Sequence, residues 1–513
     1  MDSFHEEPTA RSLIRYLPAN ENPPEHGVCK EYLEYILDVM KVLEIKNVFV
    51  HADEHVYARI VQLIWKYKDR FQNIIPLMGG FHKLRVFQRV LYKQHGVFGY
   101  QAWYADAGVI AEGSAEQAFK GGNYYRSMRI HKEGFDALSQ IRISALTGKN
   151  TLLPEEFIKK LKLLRQNPNH LIVEDILNSK PFTELYDKFI HVTDSKTKMT
   201  LKYVTHISLM LTIVSAVREG CIDRHIQAER QFLKLLFAFD HINYSRYNSY
   251  QHVLLCNLKK AAGEPYQQLV QNGFGCTASD GARFATKHGD LETEHFNRET
   301  KGTAGPFRSG YSTNIHAVNR WIKTVHCHAT LRKAMKRHFR LATSSLHKEM
   351  TPKNKKLHKS HVQALIQKLL DYNVDPFKLG PVINIATGKE IDAVIVDGLL
   401  EAENLGNVKF KEFVNDRLVT GKMSFFESIK KNSIDTGIKE SKRENTKKVD
   451  VLIEERKAFG VMVSKCTSKE EAFTFPMTTL PLSIAKPNGA LCSGDKAKLR
   501  NELIGEFFYN ETT

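Results

Sequence analysis

Tyr32, Leu33, Ile36, Met40 and Leu43 recur at helical spacing and predict an amphipathic helix over 29–45. NVFVHAD (47–53) is a short β-branched and aromatic run that reads as a buried strand, and a helix follows over 54–67. NIIPLMGG (73–80) predicts a second strand, ended by two glycines, with another helix from about His82. This strand–helix–strand–helix order implies a βαβ unit with parallel strands. From Tyr100 to Gly273 the periodicity is nearly all helical, with helices over 124–146, 154–165, 200–218 and 224–239. RFATK (283–287) predicts a short strand, and 290–298 and 317–340 predict further helices.

The expected class is therefore mixed α/β and helix-dominated, a small sheet with a large α-helical insertion. The expected divisions are an N-terminal extension (1–28), the first part of the α/β core (29–99) and the helical insertion (100–273). The rest of the core with the last acidic motif (274–345) follows, then a basic helical region (346–429), a polar linker (430–450) and a tail (451–513).

Charge changes the picture more than composition does. The chain carries 74 Lys+Arg against 57 Asp+Glu, a net +17, which points to an anionic partner. The excess is concentrated: from Arg332 to Lys359 there are ten Lys or Arg and one acid, Glu349. Arg332, Lys333, Lys336, Arg337, Arg340, Lys353, Lys355 and Lys356 are the candidate nucleic-acid contacts, because each phosphate contact releases counterions. The alternative is a solvated basic face with no partner. The seven cysteines form no C-x-x-C pair, so neither a zinc ribbon nor a disulfide framework is indicated, and a reducing, intracellular setting is expected. The acidic start lacks a secretory pattern, and the apolar run 207–217 is too short to span a bilayer, so no membrane partner is expected. No P-loop, G-x-G-x-x-G or G-x-S-x-G motif is present, which sets aside nucleotide hydrolysis, dinucleotide redox chemistry and serine esterase activity.

Five acidic or imidazole residues carry candidate chemistry. Asp53 ends the first predicted strand, where open α/β sheets bind ligands and where a carboxylate could hold Mg²⁺; it could equally cap the next helix. His82 follows Gly79-Gly80-Phe81 and faces the same crevice, unless it is a structural histidine. Asp240, in FAFDHINYSRY, combines a carboxylate with aromatic and cationic neighbours, or forms a buried Asp–Arg pair. Glu292 and Glu294 compete within LETEHFNRETKG as a carboxylate near cations, the alternative being a charged helix face. His326-Cys327-His328 is no metal motif, since i and i+2 do not share a helix face.

HADEHVYARIVQLIW, LMGGFHKLRVFQRVLY, VREGCIDRHIQAERQFLKLLFAFDHINYSRY and LETEHFNRETKGTAGPFRSGYSTNIHAVNRW together resemble an uncharacterised family, domain of unknown function 6589, over about 15–503. That family in turn resembles transposon-derived RNase H-like (DDE-type) transposase cores with a long helical insertion before the last acid. The resemblance implies a small RNase H-like sheet, Asp53 as the second acid, His82 as its companion and Glu294 as the final acid. Asp53 and Glu294 would then hold Mg²⁺ or Mn²⁺ for DNA cleavage or strand transfer, with Asp240 a further member of the candidate catalytic set. The first acid is missing: Asp2 and Asp38 alone precede Asp53, and neither follows a strand-like run. The chain is then expected to be a fragment, a domesticated copy or a misannotated gene model. The expected function is nucleic-acid binding, with DNA the expected partner in a nuclear setting, and degenerate metal-dependent nuclease or strand-transferase activity. A non-catalytic DNA-binding relic and a protein-interaction scaffold are the alternatives.

Overall fold

Strand β1 (Val48–Ala52) runs parallel to β2 (Ile74–Met78), in register from Val48↔Ile74 to Ala52↔Met78. The computed structural model describes residues 26–147, 159–160, 162–163, 175–192, 194–277, 286–300, 315–340, 349 and 351–438. The chain divides into two units, 1–438 and 439–513, and every described residue belongs to the first. Residues 1–25 of the N-terminal extension, most of the helix expected over 154–165, and the tail lie outside the described residues.

The βαβ unit forms as the apolar pattern predicts. Helix α1 is His26–Val42, and α2 (Glu54–Lys66) connects the two strands and packs on β2. Every residue of β2 is buried, as its unbroken apolar run requires, whereas β1 is half-buried. Helix α3 (Gly80–His95) follows β2. Then come α4 (Tyr100–Asp106), α5 (Glu112–Phe119), α6 (Tyr124–Thr147), α7 (Lys180–Ile190), α8 (Ser195–Glu219), α9 (Ile222–Ala238), α10 (Ile242–Ala261) and α11 (Glu264–Asn272). A two-residue strand, β3 (Cys276–Thr277), pairs antiparallel with β4 (Thr286–Lys287), the end of the expected 283–287 strand. Helices α12 (Gly289–Thr300), α13 (Ile315–His338), α14 (Pro352–Asp371) and α15 (Ala393–Phe413) follow, and a π-helical turn at Val414–Val419 continues α15. The molecule is thus helix-dominated, with two small two-stranded sheets among the described residues.

One large core joins α2, α3, α8 and α9. Tyr57, Phe71, Phe87, Trp103, Tyr104, Phe119 and Tyr203 are its largest fully buried side chains. Two of its buried hydroxyls are paired: Tyr104 Oη lies 2.8 Å from Tyr203 Oη, which is 3.0 Å from His131 Nδ1. Helix α8 is long and apolar enough to cross a membrane by length and composition, but Met199, Tyr203, Ile207, Met210 and Ile213 are buried inside this core. Helices α9 and α15 pack closely at Gly406, where a Cβ would stand 1.9 Å from Lys234 O.

The stretch 430–438, at the start of the expected polar linker, is packed against the core. Ile434 and Ile438 join the apolar cluster, and Asn432 Nδ2 donates to Phe237 O at 2.8 Å.

Candidate functional site

The carboxyl ends of β1 and β2 are tied where Gly79 N donates to Ala52 O at 2.6 Å. Asp53 leaves β1 and begins α2. Its backbone is extended (φ −64°, ψ 169°), and Oδ1 accepts from Val56 N at 3.0 Å. The helix cap that local sequence offered as an alternative is therefore present.

Gly79 and Gly80 begin α3, and both are forced by close approach. A Cβ on Gly79 would fall 2.3 Å from Asp290 Oδ2, and one on Gly80 would fall 2.0 Å from His288 Nδ1. The first turn of α12 thus presses against the start of α3. Asp290 Oδ1 accepts from Phe81 N at 3.1 Å, and Oδ2 accepts from His82 N at 3.0 Å. Oδ2 also lies 3.1 Å from His82 Nδ1. The Asp290 carboxylate therefore serves as the N-terminal cap that α3 lacks in its own sequence, since Gly79 has no side chain to cap with.

This hydrogen bond with Asp290 raises the His82 pKa above its ordinary value; burial opposes it, and the charges of Asp290, Glu294 and Asp53 add to it. Burial disfavours the Asp290 charge, but His82, His288 and the backbone N–H groups outweigh it and hold the carboxyl below its usual range. His82 Nε2 points to the open side, 3.8 Å from Glu294 Oε1. The side chain of His82 is 25% exposed and that of Glu294 43%, whereas Asp290 is at 5%. Glu292 is engaged elsewhere. Its pairing with His295 and then Lys287, whose Nζ is 2.8 Å away, holds it at about 2. Glu294, not Glu292, is the acid beside His82.

Beneath this crevice lies a buried polar layer. Lys83 pairs with Glu229, His225 Nε2 is 3.1 Å from the same carboxylate, and Gln251 Nε2 is 3.2 Å from Glu229 Oε2. Gln251 Oε1 accepts from Met78 N at 2.5 Å, joining the layer to the end of β2. Burial is countered by Lys83 and His225, which keep Glu229 ionised far below the usual carboxylate range. His51 and His288 border the same small cavity, and burial pushes them down to about 4 and about 3, so both are neutral near pH 7.

The structure therefore places Asp53 and Glu294 near His82 at the strand ends, where the charges of both act on its ring. Asp240 is committed elsewhere. It sits at φ 58° after α9, and its two oxygens accept from Asn432 N (2.7 Å) and Ser433 N (2.9 Å), anchoring the 430–438 stretch. It pairs with no arginine among the described residues; Arg246 donates instead to Glu427 O at 2.8 Å. Among the described residues no three His, Cys, Asp or Glu side chains are placed to share a metal ion. Both Asp290 oxygens hold N–H donors, and Asp53 Oδ1 caps α2.

Asp290, Lys83, Glu229 and His225 were not singled out in the sequence. The signals were present: two adjacent glycines announce a close approach, and Glu229 lies on the apolar stripe with His225, Phe232 and Leu236.

The candidate nucleic-acid contacts are on exposed helices. Arg332, Lys336 and Arg337 project from α13, Arg340 just follows it, and Lys353, Lys355 and Lys356 occupy the first turn of α14. None of these forms an ion pair with a described residue. Lys333 belongs to α13, but its side chain lies outside the described residues. The α14 helix is held down by His358 Nε2 to Asp136 (2.7 Å), His361 Nδ1 to Glu133 (2.8 Å) and Trp103 Nε1 donating to Leu365 O (2.9 Å).

Fold and site define a helix-dominated α/β protein with a histidine–carboxylate clasp at the ends of two parallel strands. The chain belongs to a family described as a domain of unknown function (DUF8702), whose model matches residues 1–475. An uncharacterised domain family was expected, but the matching model is this one rather than domain of unknown function 6589. No curated protein and no solved structure matches the chain.

Proposed function

We propose that this protein binds nucleic acid, DNA foremost, as a non-catalytic relic of a transposon-derived RNase H-like enzyme acting in the nucleus. The observation that carries the reading is the cationic surface of Arg332, Lys336, Arg337, Arg340, Lys353, Lys355 and Lys356 on α13 and α14, which has no acidic partner among the described residues. Lys353, Lys355 and Lys356 at the start of α14 oppose the helix macrodipole, so an anion there relieves the lysine charges. Descent from an RNase H-like core is supported by the parallel strands with Asp53 at the carboxyl end of β1. It is supported too by the helices α4–α11, which intervene before the acids of α12. Loss of catalysis is supported by the described residues, among which no three His, Cys, Asp or Glu side chains are placed to share a metal ion.

The test is DNA binding by fluorescence anisotropy across a salt series. Arg332→Gln, Lys336→Gln, Lys353→Gln and Lys356→Gln together should flatten the log K against log salt slope by about 0.9 for each phosphate that is no longer neutralised. An unchanged slope removes this surface from the interface and leaves a protein-interaction scaffold. Mg²⁺- or Mn²⁺-dependent cleavage that disappears in Glu294→Gln would overturn the non-catalytic part.

A further inference from the structure

Far from the strand ends, α7, α8 and α15 border a groove of about 350 Å³, within the size range of small-molecule pockets. Phe189, Val192, Leu201 and Leu400 give it an apolar wall. Its polar side has two layers. In the inner layer Glu403 gathers Lys202 Nζ at 3.6 Å, Lys234 Nζ at 3.9 Å and His206 Nε2 at 3.8 Å. The His206 ring is 4% exposed, and its Nδ1 is held 3.1 Å from His95 Nε2. Its Nε2 therefore faces Glu403 and the groove, beyond hydrogen-bond reach of the carboxylate.

The outer layer consists of Lys198 on α8 and Glu401 on α15. Both are exposed, and neither forms an ion pair with a described residue although they carry opposite charges on the same groove. A purely anionic ligand would meet Glu401 and Glu403, and a purely cationic one would meet Lys198 and Lys202. A molecule with both signs satisfies both walls. The geometry points to a binding site for a zwitterionic small molecule with a large apolar side chain, an α-amino acid of the leucine or phenylalanine type. Its carboxylate would meet Lys198, its ammonium Glu401, and its side chain the Phe189–Leu400 wall.

Isothermal titration of the full chain with L-phenylalanine, N-acetyl-L-phenylalanine and L-phenylalaninamide tests this. The free amino acid should bind saturably, and each blocked analogue about tenfold more weakly, the value of one charge-assisted contact. Glu401→Gln should weaken L-phenylalanine about tenfold while leaving the N-acetyl compound unaffected; Lys198→Gln should do the same relative to the amide. Both positions are exposed, so the fold is expected to survive, as circular dichroism will verify. The site assignment is overturned by lack of saturable binding of L-phenylalanine and L-leucine, by equal affinity of the blocked analogues, or by indifference to both substitutions.

Discussion

The Asp290 carboxylate reaches across 208 residues of chain to bond both the backbone N–H and the ring Nδ1 of His82. One side chain thus caps a helix and fixes an imidazole, and it welds α12 to the end of β2. The pairing sets the sign of its pH dependence. His82 has a folded pKa raised above its ordinary 6.5, so its contribution is full below 6.5 and fades as pH rises through the folded value. Asp290 is depressed below 3.8, so its contribution is full above 3.8 and fades as pH falls through the folded value.

An NMR titration of His82 should accordingly give a midpoint above 6.5 that drops in Asp290→Asn. The same substitution should destabilise the fold by about 1–3 kcal/mol, because its amide cannot accept all three N–H groups. An unmoved His82 midpoint would show that the two side chains do not interact in solution.

Gly80→Ala sets helix propensity against sterics. Alanine in a helix is favoured over glycine by about 1 kcal/mol. The new Cβ would stand 2.0 Å from His288 Nδ1, in a buried site where overpacking costs about 1–3 kcal/mol. A net loss of stability in urea unfolding is expected; a gain would mean that α12 does not press on α3.

Lys83→Met should cost about 3–5 kcal/mol by stranding the Glu229 charge in the core. Lys83→Met with Glu229→Gln should recover much of this, because no full charge then remains unpaired. Additive losses in this double-mutant cycle would contradict a coupled pair.

Asp240→Ala should free the 430–438 stretch at a cost of about 1–3 kcal/mol. Hydrogen exchange at the Asn432 and Ser433 amides reads this directly. Protection equal to wild type would show that the packing of Ile434 and Ile438 suffices to hold the stretch.

Much of the architecture was legible along the chain. The run around Val48–Ala52 and the apolar stretch Ile74–Met78 form strands, and the helices of 124–147, 195–219 and 222–238 arise near their predicted places. The position of Asp53 at a strand end, with His82 after the next strand, was equally readable, because a βαβ unit carries both strand ends to the same side. Asp240 was not: its flanks resemble a chemical site, yet its partners, Asn432 and Ser433, come from a stretch whose polarity reads as linker.

By itself the sequence determined the elements, their order and the placing of positive charge on α13 and α14, since periodicity and composition are local properties. Which acid would meet His82 was decided only by tertiary structure. Asp290, Glu292 and Glu294 share one short helix, and nothing local separates them. Packing of α12 on α3, through two glycines that leave room for it, buries Asp290 and leaves Glu294 at the crevice, while Lys287 and His295 claim Glu292.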